Sequence, residues 1–239
     1  MPSRGYDQTP TMYSPDGRIY QVEYALETVK RGTLAVGIKG KDSVILAVEE
    51  KPRKLQIANI TQKIFRIDDH IGVAAAGYIP DARNQVDEVR FFSQSNRMVY
   101  DELIDVESVA KHIADQCLTF TQYAGVRPYG VALIIAGADL HGPSLYLTDP
   151  SGAYLSYDAV AIGAGTEQVT EFLEKHYKND MPLEDVAALA VAAIYHVSDV
   201  KEGIKHIKMS QVKTVPRLFE QVSEQDIEKH AANAKTKFS

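Results

Sequence analysis

The chain has 239 residues, 45% of them hydrophobic, and sets 26 Lys+Arg against 32 Asp+Glu for a formal net charge of −6. That length and apolar content suit a soluble globular chain with a sizeable core, and the acidic balance disfavours nucleic acid, whose phosphates call for clustered Lys and Arg. The longest apolar runs, Tyr129–Ala138 and Val186–Tyr195, fall short of the roughly 20 residues of a membrane-crossing helix, so no membrane partner is expected.

The opening MPSRGYDQTP carries no apolar segment of the secretory kind. The single cysteine, Cys117, permits neither an intrachain disulfide nor a cysteine-based zinc cluster. A reducing cytoplasm is the expected location.

Residues 1–17 are rich in Pro, Gly, Ser and Asp and read as a flexible N-terminal segment. Ile19, Val22, Ala25, Leu26 and Val29 then recur at helical spacing, which predicts a short helix within 18–31 that ends before Gly32. Two strands follow at Thr33–Ile38 and Ser43–Val48, joined by a Gly-containing hairpin loop. A second hairpin is predicted at Ile64–Ile67 and Ile71–Ala76. Pro80-Asp81 begins a helix bearing Val86, Val89 and Phe92. The clearest helical period follows in Val106, Val109, Ala110, Ile113, Ala114, Cys117 and Leu118, which makes Cys117 a core residue.

Strands return at Gly130–Ala138, Ser144–Thr148, Ala153–Tyr157 and Ala159–Ile162. One helix carries Val169, Phe172, Leu173 and Tyr177, and the next runs from Pro182 to about Val197. Strands at His206–Val212 and Arg217–Val222 precede a charged, solvated C-terminal helix over 223–239, opened by the capping pattern Ser223-Glu-Gln-Asp226. Hairpin-clustered strands in two sets, separated by paired helices, predict an α+β chain. The natural solution is a four-layer αββα sandwich, two stacked antiparallel sheets between helical layers, over 18–222.

The stretch Tyr6-Asp7-Gln8-Thr9-Pro10 through Ser14-Pro15-Asp16-Gly17-Arg18 to Gln21-Val22-Glu23-Tyr24-Ala25 closely resembles the N-terminal signature of proteasome α subunits. Lys63-Ile64-Phe65-Arg66-Ile67-Asp68-Asp69, Asp81-Ala82-Arg83, Val126-Arg127-Pro128-Tyr129-Gly130-Val131 and Ala161-Ile162-Gly163-Ala164-Gly165 are similar to the archaeal form of that family. The resemblance implies an Ntn-hydrolase-like fold and a place in the 20S core particle. There, homo-heptameric outer α rings cap inner rings of proteolytic β subunits, admit unfolded protein and receive a hexameric proteasome-activating ATPase. No metal or organic cofactor is implied.

By the same resemblance, Tyr6, Asp7, Gln8, Pro15 and Tyr24 belong to the gate, with Gln8 standing where archaeal members usually carry Arg. Lys63, with Ile19, Glu23, Gly32 and Gly77, maps to the pocket that receives an activator's C-terminal carboxylate, a charge-assisted pairing. Tyr123, Gly125, Arg127, Pro128 and Tyr129 match the loop that narrows the channel below the gate.

Thr33, Glu49 and Lys63 resemble the nucleophile, acid and lysine of the active β subunits, which expose an N-terminal Thr after a Gly. A threonine hydroxyl in this class relies on its own free α-amino group as base. Behind thirty-two residues, Thr33 has only an amide. Ala164 stands where the active relatives carry Ser, and their Asp-x-x-Ser-Gly type of segment is not apparent around Asp199–Gly203. The expectation is a subunit without catalytic activity of its own. The alternatives are a self-processing threonine hydrolase cut at Gly32-Thr33, a bacterial-style two-component protease and an unrelated ring scaffold. Gly163-x-Gly165 lacks the third Gly of a dinucleotide fingerprint and reads as a turn capped by Thr166. The seven histidines show no metal spacing.

Overall fold

The computed structural model describes residues 5, 6, 8, 9, 11–51, 55, 56, 62–198 and 206–238. Asp7 of the predicted gate and the Asp199–Gly203 segment lie outside the described residues.

The first sheet runs in the order β10-β9-β2-β1-β8, from β1 (Ala35–Lys39), β2 (Ser43–Glu49), β8 (Ala159–Ile162), β9 (Ile207–Lys213) and β10 (Phe219–Gln221). The second runs β3-β4-β5-β6-β7, from β3 (Ile64–Asp68), β4 (Ile71–Gly77), β5 (Val131–Asp139), β6 (Gly142–Thr148) and β7 (Tyr154–Ser156). Every pairing is antiparallel, as hairpin-linked strands require. β2 and β5 are buried along their full lengths, so they lack the in-out alternation of a half-exposed strand; both faces are covered.

Three apolar clusters define the layers. One lies between the sheets and includes Leu46, Val48, Ala74, Ile134 and Leu145. A second packs α2 (Ile79–Tyr100) and α3 (Val106–Gln122) on the β3–β7 sheet through Val86, Val89, Val109, Ile113 and Cys117. The third packs α4 (Thr166–His176), α5 (Leu183–Val197) and α6 (Glu224–Lys237) on the β1–β2 sheet. The four-layer αββα sandwich read from the sequence is the observed fold. α5 is buried almost all round because it sits between β1–β2 on one side and α4 and α6 on the other. Cys117 is buried, accepts a hydrogen bond from Gln85 Nε2 at 3.0 Å, and burial pushes its thiol up to about 12.

Differences from the sequence reading lie at element ends and in α6. β1 starts at Ala35, not Thr33, and β7 and β10 are each three residues long. Ser223 caps α6 as expected, accepting from Asp226 N at 3.2 Å. The helix is not a solvated tail, however. Ile227, Ala231 and Ala234, at helical spacing, are buried against α5, and Phe238 packs on His176 with ring centroids 5.7 Å apart. The alanines make a stripe narrow enough to be masked in sequence by the charges around it.

α1 (Tyr20–Lys30) belongs to neither helical layer. It lies across β4 and β5 and buries Val22, Ala25 and Val29, with Val29 joining the cluster between the sheets. This one helix plugs the end of the sandwich at which Thr33, Lys63 and Gly77 meet.

Candidate functional site

The N-terminal segment is organised by a turn. Gly17 N donates to Ser14 O at 2.8 Å, Arg18 N to Ser14 Oγ at 3.1 Å, and Pro15 holds the second position, where its fixed φ favours a turn. Gly17 has φ +75°, a value glycine adopts without strain. Ser14 is buried and Pro15 exposed. Earlier in the chain Gln8 N donates to Gly5 O at 3.3 Å, which puts Tyr6 inside a separate turn. Tyr24 sits on the exposed side of α1, stacked on Tyr20 with ring centroids 6.4 Å apart. It also faces a cavity of about 350 Å³ shared with Tyr78, Arg127, Pro128 and Gly130. Tertiary structure thus joins Tyr24, expected at the gate, to the loop expected to narrow the channel, a link that sequence spacing does not reveal.

That loop is divided in its behaviour. Tyr123 and Gly125 are exposed. Arg127 is pinned: both terminal nitrogens donate to the Asp81 carboxylate at 2.6 and 2.8 Å, and the same carboxylate accepts from Gly130 N at 2.8 Å. The hydrogen bonds that Arg127 donates to Asp81 raise the Arg127 pKa. Pro128 is buried, and Tyr129 is turned into the core on Phe120, centroids 4.4 Å apart, where burial pushes its phenol up to about 12. Tyr129 therefore anchors the loop, and its ring does not line an opening. Asp81 is the residue to which sequence reasoning gives no role. Its position after Pro80, at the start of α2, is the available signal, since a carboxylate is favoured in a helix's first turn.

The five residues assigned to the docking pocket fall into two groups within one chain. Ile19 and Glu23 line a cavity of about 560 Å³ between the start of α1 and the end of α3, and Glu23 already pairs with Arg18. Gly32, Gly77 and Lys63 gather instead around Thr33. A Cβ on Gly32 would stand 2.4 Å from Gly77 N, so the two backbones come this close only because Gly32 has no side chain.

Lys63, one residue before β3, is 6% exposed. Its Nζ donates to Thr33 O at 2.6 Å, Thr33 Oγ1 at 2.8 Å, Leu34 O at 3.2 Å and Glu49 O at 3.5 Å. Burial lowers its pKa to about 7, against the opposing influence of the Glu50 and Glu49 carboxylates. Glu50 Oε1 accepts from the main-chain nitrogens of Gln62 and Lys63, and Glu49 Oε1 accepts from Ser198 Oγ at 2.7 Å. The ammonium is thus directed inward, where sequence reasoning set it facing a visiting carboxylate. Among the described residues no group of three or more His, Cys, Asp or Glu is arranged to hold a metal, and no helix is long and apolar enough to cross a membrane.

Comparison with known proteins decides the family. The family described as proteasome subunit matches residues 29–212, and the N-terminal signature of A-type proteasome subunits matches residues 6–27. A proteasome α subunit of Methanosarcina thermophila is 48% identical over 227 residues, covering 95% of this chain and 92% of its own. The Archaeoglobus fulgidus protein of the same name is 45% identical over 235 residues, 98% of this chain and 95% of its own. The Methanosarcina mazei one is 46% identical over 230 residues, 96% and 92%. The chain belongs to the archaeal proteasome α-subunit family.

As a member of that family, the chain carries the family signature on the very elements that plug the Thr33 end. The signature match ends at residue 27, inside α1, and Gly32 follows two residues after that helix. Gly32 N donates to Val29 O at 2.9 Å and Gly32 O accepts from Ala164 N at 2.8 Å, so the peptide preceding Thr33 is built into the fold on both sides. The Gly163-x-Gly165 segment is the expected turn, with Thr166 Oγ1 donating to Gly163 O at 2.7 Å.

Proposed function

We propose that this chain is a non-catalytic ring former that gates entry to a chamber whose nucleophiles belong to β subunits. In this reading it assembles as a homo-heptameric outer ring in the cytoplasm, over β subunits, and passes unfolded protein inward. Tyr6, Asp7, Gln8, Pro15 and Tyr24 act at the gate, within a flexible segment over 1–17. Tyr123, Gly125 and Arg127 narrow the path below it, on a loop that the buried Pro128 and Tyr129 anchor. Lys63, Gly32 and Gly77 of one subunit, with Ile19 and Glu23, receive the carboxylate-ended tail of a hexameric activating ATPase. The separation of these five residues into two groups within the chain is understandable if a pocket forms between neighbours.

The observation that carries the non-catalytic reading is the state of Thr33. Its nitrogen is an amide whose preceding residue is hydrogen-bonded on both sides, so it cannot act as the base this class needs. Exposed apolar side chains on α2, Phe91, Met98, Val99 and Tyr100, support assembly, since exposed apolar surface suits a protein contact.

One observation favours the second reading, a threonine hydrolase cut at Gly32-Thr33. Lys63 Nζ lies 2.8 Å from Thr33 Oγ1, a spacing at which a lysine can influence a nucleophile. Native mass spectrometry with subunit ejection separates the two. A heptamer or its double, built of intact 26.4 kDa subunits, supports the gate-and-ring function. A subunit that has lost residues 1–32 overturns it.

A further inference from the structure

A carboxylate-ended tail needs an ammonium that it can reach, and this structure holds the Lys63 ammonium elsewhere. Nζ is within 3.2 Å of Thr33 O, Thr33 Oγ1 and Leu34 O, on a side chain that is almost wholly buried. These acceptors are neutral, whereas a carboxylate makes the stronger charge-assisted bond. Two arrangements therefore compete: an inward one supported by several fixed oxygens, and an outward one supported by the ligand. A ligand that binds only the outward arrangement has its affinity reduced by the fraction of molecules already outward.

Thr33 has the largest part in this competition, since it supplies both of the closest oxygens, at 2.6 and 2.8 Å. It is also held firmly. The peptide before it is locked by Val29 and Ala164, and Leu34 O accepts from Glu49 N at 2.9 Å, which ties the next residue to the end of β2. We propose that Thr33 is a positioning residue: its hydroxyl and carbonyl keep the Lys63 ammonium in an inward resting state, from which a carboxylate-ended peptide must draw it in order to dock. The proposal rests on the docking function given above and assigns to Thr33, which that function leaves idle, control over the docking affinity.

The test titrates the assembled full-length protein with a short fluorescent peptide ending in a free carboxylate, with its C-terminal amide as control. Thr33→Val keeps the side-chain shape and the main-chain carbonyl and removes only the hydroxyl. Binding of the free-carboxylate peptide is expected to tighten by roughly three- to tenfold. Thr33→Ser should bind as the parent does, and Lys63→Ala should lose the preference for carboxylate over amide. If Lys63→Ala loses that preference while Thr33→Val binds no more tightly than the parent, the positioning role is overturned and docking stands. If Lys63→Ala binds as the parent, the docking function itself fails and the inference with it. Acylation of Lys63 in the native protein by an amine reagent, read by peptide mass spectrometry, gives an independent measure. It should be faster in Thr33→Ala than in the parent, and equal rates would overturn the proposal.

Discussion

Two cations in this chain are held in opposite ways. Lys63 is buried and bonded to neutral oxygens of Thr33 and Leu34, whereas Arg127 is more than half exposed and bonded to the carboxylate of Asp81. Burial among those neutral oxygens lowers the Lys63 pKa to about 7, so its charge is conditional. The Asp81 carboxylate raises the Arg127 pKa further above its already high value, so that charge is permanent. A conditional charge suits the docking role proposed for Lys63, which must respond to a ligand. A permanent one, fixed to a helix start, suits a loop that must keep its shape.

The sharpest way to break the comparison is to disturb the glycine contact that frames Lys63. In Gly32→Ala the new Cβ would lie 2.4 Å from Gly77 N, against backbone that cannot swing aside as a side chain does. A loss on the order of 3 kcal/mol is expected from such overpacking, read by chemical denaturation. An unchanged midpoint would mean that Thr33 and Lys63 are less tightly framed than described.

The next effect is one of pH. Folding lowers the Lys63 pKa from an ordinary 10.5 to about 7, so between those values the unfolded chain binds more protons than the folded one. Stability should therefore rise with pH from about 7 upward, by at most about 1.4 kcal/mol per unit from this group, and Lys63→Met should remove that contribution. Replacing Arg127 should leave the slope alone, because a guanidinium does not titrate there. Among the described residues the carboxylates that act on Lys63 are Glu49, the last residue of β2, and Glu50, the one after it. Lys51 lies 3.5 Å from Glu49, and His206 hydrogen-bonds the Glu50 carbonyl, so the slope is best measured as the difference between parent and variant.

The smallest effect is at Asp81. Asp81→Asn keeps an acceptor for Gly130 N but gives up the ionic pairing with a largely exposed guanidinium, for an expected cost of about 0.5–1 kcal/mol. Faster amide exchange over 123–130 is the more telling measurement. If exchange there is unchanged, Arg127 does not hold the loop.

Much of this was legible along the chain. The α3 stripe, the hairpin pairs and the capped start of α6 rest on neighbours within a few residues, so periodicity and turn chemistry were enough. The family signature was legible for the same reason. The start of β1 differs from the sequence expectation because the Thr33 carbonyl, which extended backbone would offer to a strand, is taken by Lys63 from thirty positions away. Tyr129 looks like a loop residue beside Pro128, and only its contact with Phe120 puts it in the core.

By itself, then, the sequence determined the order and type of the elements, the two-sheet sandwich and the family, because hydrophobic period and signature motifs are local properties of the chain. It also determined that Thr33 has no amine while residues 1–32 precede it, which is a matter of covalent connectivity. Only the tertiary structure decided where the charges go. Lys63 turns inward, and Asp81 clasps Arg127 and Gly130. Each of these outcomes is a competition between desolvation and the oxygens within reach. Which oxygens are within reach is set by sheets and helices that bring distant residues together.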